Sequence, residues 1–84
     1  MTNEVLNNML ALTATLKRRN IIQRDGYPFG VRWLDNMIRD FDSEPRPQSI
    51  TYYARINLEG YWHDGFIKVD KDGNLRVSLE HNPA

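Results

Sequence analysis

The side chains of this 84-residue chain that could do chemistry are few, and they are spaced poorly for it. His63 with Asp64 or Glu80 is the only histidine–carboxylate set. General acid–base work needs such a pair to converge on one proton, and neighbours along a strand point to opposite faces. His63 and His81 fall opposite one another in the register derived below, yet no third metal ligand joins them, Tyr61 being a poor one. Ser43, Ser49 and Ser78 have no visible base, and no glycine loop is built to cradle a phosphate. Asp70-Lys71-Asp72-Gly73-Asn74 looks like the opening of a calcium loop. The spacing fails, because Leu75 stands where such a loop needs glycine and His81 where it needs glutamate. A hairpin turn is the better reading. The expectation is a protein that is not an enzyme and has neither cofactor nor metal.

The elements that would position these residues are legible. Val5, Met9, Leu12 and Leu16 form one helical stripe, with Leu6, Leu10 and Thr13 beside it, predicting a helix over about 2–19. Thr2 or Asn3 caps its start, and Lys17, Arg18 and Arg19 suit its last turn. Ile21 and Ile22 lie off the stripe, and turn signals mark Gln23–Gly30 as a connector. Trp33, Leu34, Met37, Ile38 and Phe41 predict a second helix over about 31–41, with Asp35 four residues before Arg39 for an ion pair. Pro45 and Pro47 then impose an extended linker.

From Ile50 the period changes to two. Strands over about 49–58, 61–69 and 75–80 are joined by Glu59-Gly60 and by Lys71-Asp72-Gly73. The first turn sets Leu58 against Tyr61, Ala54 against Gly65 and Ile50 against Val69. The second sets Val69 against Leu75, Ile67 against Val77 and Gly65 against Leu79. Both hairpins agree on which face is apolar, and a one-residue slip in either would put apolar side chains in water. Residues 1–84 are therefore expected to form one two-layer α+β domain, ααβββ, with two helices packed on one face of a three-stranded antiparallel meander.

Composition limits what such a domain does. Eleven basic and eleven acidic side chains cancel, unlike a strongly basic nucleic-acid binder. The absence of cysteine excludes disulfides, zinc–thiolate sites and thiol chemistry. Met1-Thr2-Asn3-Glu4 lacks the basic start of a signal peptide, and no apolar run approaches a membrane span, so a cytoplasmic protein away from membranes is expected.

One feature points to a partner. The register puts Tyr53 across from Phe66, Arg55 across from Asp64 and Asn57 across from Trp62, on the face that should be polar. Thr51, Lys68, Arg76, Ser78 and Glu80 share that face. Tyr53, Trp62 and Phe66 would anchor a partner, with Arg55 and Lys68 at the rim. Strand propensity and cross-strand packing also account for aromatics there, and Ile21-Ile22 or Tyr27-Pro28-Phe29 could fold over them. In size and style the chain resembles small accessory proteins of phages and mobile elements, including inhibitors that block a host machine by direct contact. That likeness, with the aromatic group, implies a small non-enzymatic protein-binding module. Nucleic-acid binding through the same face, or through Lys17, Arg18, Arg19 and Arg24, is the alternative, and self-association through the edge strand or this face is a variant.

Overall fold

The structure, a computed structural model, describes residues 1–83, with side chains described for residues 1–76 and Ser78. Its elements run α1 (Asn3–Arg18), β1 (Ile21–Gln23), α2 (Val31–Phe41), β2 (Ser49–Leu58), β3 (Tyr61–Asp70) and β4 (Leu75–Pro83). The strands form one open antiparallel sheet in the order β1-β2-β3-β4. This is the α+β architecture expected, with a fourth strand added. The sequence pattern predicts helix exit and connector at Ile21–Gln23; the segment pairs instead with β2, Ile21 opposite Ile56, Ile22 opposite Arg55 and Gln23 opposite Ala54.

The helices form where the apolar stripes dictate. Thr2 Oγ1 accepts a hydrogen bond from the Val5 N–H at 3.2 Å and caps α1. Met9, Leu12 and Leu16 are its buried stripe. Asn20, in the left-handed region at φ 56°, turns the chain out of the helix and into β1; asparagine tolerates that conformation better than most residues. In α2, Trp33, Leu34, Met37 and Phe41 are buried. Asp35 and Arg39 do not close the ion pair their spacing suggests; among the described residues the salt bridges are Arg46–Asp42 and Arg55–Asp64.

The strand register is the expected one. β2 and β3 pair without interruption from Ser49 opposite Asp70 to Leu58 opposite Tyr61. Their turn has φ 53° at Glu59 and 86° at Gly60, the two positive values a tight hairpin requires. β3 and β4 pair as predicted from Val69–Leu75 to Gly65–Leu79. Beyond that a bulge intervenes, and Pro83 rather than His81 stands opposite His63.

Both helices pack against the face bearing Ala54, Ile56, Ile67 and Val69. Phe29 is buried in this core rather than folded over the other face. It meets Trp33 edge-on at 4.8 Å between ring centroids, and Trp33 meets Tyr52 edge-on at 5.2 Å. Trp33 Nε1 and Tyr52 Oη are buried without a hydrogen-bond partner. Burial, then the negative charge of Asp40, pushes the Tyr52 hydroxyl far above its ordinary pKa. The helix layer is shorter than the sheet. Ten-residue strands span about 33 Å at about 3.3 Å per residue, whereas the eleven residues of α2 span about 16 Å. The end of the β2–β3 hairpin consequently projects, and Leu58 and Tyr61 on the helix-side face remain 43% and 64% exposed.

The β3–β4 turn ties the two layers together. Asn8 Nδ2 donates to the Asp72 carbonyl at 3.0 Å. Gly73, at φ 82°, lies so close to α1 that an added Cβ would stand 2.9 Å from Asn8 Cβ. Asp70 Oδ1 accepts from the Asp72 and Asn74 N–H groups, each at 2.9 Å. Desolvation pushes the Asp70 pKa up, but hydrogen bonds from Asn74 and Asp72, and the nearby Lys71 charge, outweigh it and hold the carboxyl below its ordinary value.

Gly73→Ala combines left-handed strain with a clash against Asn8 Cβ and should cost about 3 kcal/mol in urea unfolding, whereas Gly26→Ala, at φ 97° in open space, should cost about 1 kcal/mol. Because the folded-state pKa of Asp70 is depressed, its stabilisation is present above the unfolded carboxylate pKa and disappears as pH falls through the folded value. Urea midpoints measured from neutral to acidic pH should fall less steeply for Asp70→Ala than for the wild type.

Candidate functional site

The sheet face away from the helices carries the candidate site. Strand alternation puts Thr51, Tyr53, Arg55 and Asn57 of β2 on it, opposite Lys68, Phe66, Asp64 and Trp62 of β3. Arg76 and Ser78 of β4 lie opposite Lys68 and Phe66. All five residues singled out in the sequence, Tyr53, Arg55, Trp62, Phe66 and Lys68, therefore share one face. Tyr53 is 59% exposed and Trp62 37%, while Phe66 and Arg55 are half-buried. The side chain of Glu80 lies outside the described ones.

Cations organise the rings. The Arg55 guanidinium lies 5.9 Å from the Trp62 ring centroid, and its Nε donates to Asp64 Oδ1 at 3.3 Å. Arg24 enters from β1: its N–H donates to the Tyr53 carbonyl at 3.2 Å, and its guanidinium lies 4.6 Å from the Tyr53 ring centroid. Each contact adds a modest attraction at a partly solvated site and brings ring and charge together. Lys68 and Arg76 are exposed and directly opposed, an unfavourable like-charge pair, and among the described residues neither has an ion-pair partner.

Arg24 is the residue missed as part of this face. The sequence grouped it with Lys17, Arg18 and Arg19, but that cluster divides. The three belong to the exposed end of α1, where Arg18 reaches Thr15 Oγ1 at 3.3 Å, and Arg24 stands on the sheet. The available signal was Ile21-Ile22, a β-branched pair off the helical stripe and next to polar Gln23. Neither Ile21-Ile22 nor Tyr27-Pro28-Phe29 covers the face. β1 extends the sheet sideways, and the loop after it is held at that edge by Gln23 Nε2, which donates to the Pro28 carbonyl at 3.1 Å.

The other candidate groups do not assemble. His63 is buried on the helix-side face, while Asp64 pairs with Arg55 on the opposite one. Among the described residues no three of His, Asp or Glu come together as a metal cage. No helix among them is long and apolar enough to cross a membrane. No protein-family model, curated protein or solved structure matches the chain.

The Arg55–Asp64 pair is partly buried, its side chains 31% and 28% exposed, and the screening that remains keeps its contribution to the fold small. Asp64→Ala should change unfolding free energy by less than about 1 kcal/mol, the range of a surface ion pair. A loss of several kcal/mol in urea titration would mean that the pair supports the core instead.

Proposed function

We propose that this protein is a small non-enzymatic binding module whose outer sheet face engages another protein. The observation carrying this reading is the grouping of rings and guanidinium groups, Arg24 by Tyr53 and Arg55 by Trp62, on a face that nothing among the described residues covers. Tyr53, Trp62 and Phe66 are the anchors, because amphipathic rings held by paired strands lose little freedom on binding. Arg24 and Lys68 stand at the rim and favour an acidic surface on the partner. The mode of action is occlusion: a rigid face occupies a surface the partner needs. Small inhibitors carried by phages and mobile elements block host machines in that way.

Nucleic acid is the second reading, favoured by aromatic and basic groups on an open sheet. The ring contacts weigh against it, since each guanidinium occupies ring surface that a stacking base would use.

The test is capture from host lysate with wild type and the Tyr53→Ala/Trp62→Ala double variant, both verified as folded by circular dichroism. Affinity for a specifically captured protein should fall at least tenfold, roughly the loss of one or two interface anchors. Undiminished affinity in the folded double variant would remove this face from the function. Nuclease-sensitive material, bound more weakly as salt rises, would favour the second reading.

A further inference from the structure

The sheet is open at β4. This nine-residue strand pairs with β3 on one side, and among the described residues nothing pairs with the other. A row of unpaired backbone donors and acceptors is a template for another strand, and proteins usually blunt it with lysine, proline or a bulge. Here the bulge and Pro83 come at the far end, and Leu75 to Leu79 keeps regular register with β3.

The sequence of that segment is complementary to its own reverse. In Leu75-Arg76-Val77-Ser78-Leu79-Glu80-His81, an antiparallel copy centred on Ser78 sets Arg76 against Glu80 and Val77 against Leu79. Cation meets anion, and apolar residue meets apolar residue. A slip of one residue along this register loses both matches. Arg76 has a reason to accept such a partner, because within the chain it stands directly opposite Lys68. Glu80 of a second copy takes the register position opposite Arg76, an acidic residue where the chain itself sets Lys68.

We infer that β4 is an isologous dimer interface, joining two copies about a twofold axis at Ser78 into one continuous eight-stranded sheet. The pairing is edge to edge and buries little side-chain area, so association is weak, in the micromolar range or above. It keeps both helix layers on one side and sets two outer faces next to each other, so a partner with repeated sites is bound bivalently. The inference stands independently of what those faces bind.

Sedimentation velocity of the full chain, from low to several hundred micromolar, tests it. Wild type should pass from monomer to dimer with concentration. Arg76→Glu and Glu80→Arg each oppose like charges twice per dimer and should weaken association at least about tenfold. An equimolar mixture of the two should restore it, because each mixed pair again opposes unlike charges. Ser78→Lys, which sets two cations at the axis, is an independent disruption. Wild type that remains monomeric throughout, variants that dimerise unchanged, or a mixture that fails to recover would each overturn the inference.

Discussion

The tight turn at Glu59-Gly60 is the constraint on which the structure depends. With positive φ at both residues it allows one pairing of β2 with β3, and side chains alternate strictly along each strand. That single choice sends Ala54, Ile56, Ile67 and Val69 to the helices. It sends Tyr53, Arg55, Trp62 and Phe66 to the other side. A slip of one residue would exchange the two sets and leave the core without its apolar floor. The exposed rings are therefore held in place by the same register that builds the core.

The helix layer completes one side only. Gly73 and Asn8 bring α1 down onto the β3–β4 turn, and the Phe29–Trp33–Tyr52 series fixes α2 over β2. Leu58 and Tyr61 at the end of the hairpin stay exposed on the helix side, and neither helix serves the outer face. β1 widens the sheet by one strand, and Arg24, the residue after it, reaches Tyr53 on the outer face. Its order thus comes from strand pairing and cation–ring contacts.

Most of the fold was legible because two independent signals agreed. The period of two from Ile50 to Leu79 and the chemistry of the two turns gave the same faces, so the five candidate residues were placed together correctly. What escaped depended on tertiary pairing. Three residues at Ile21–Gln23 are too few to show a period, and their strand character comes from the partners Ile56, Arg55 and Ala54. With β1 unseen, Arg24 looked like the continuation of a basic helix end. The bulge between His63 and Gly65 has no sequence mark at His81, so the expected histidine pairing was displaced. The buried, unpartnered Trp33 Nε1 and Tyr52 Oη arise from how α2 docks, which periodicity does not encode.

The most direct test of the account reads Trp62 itself. Trp33 is the only other tryptophan and is buried, so Trp33→Phe, kept aromatic to hold the core and checked for folding by circular dichroism, leaves Trp62 as sole reporter. Its fluorescence would be followed, with acrylamide quenching, while the captured protein partner is titrated in. The account predicts a blue shift and loss of quenching as the ring leaves water, saturating with binding. A partner that binds fully while Trp62 stays as quenchable as in the free protein would contradict the claim that the outer face makes the contact.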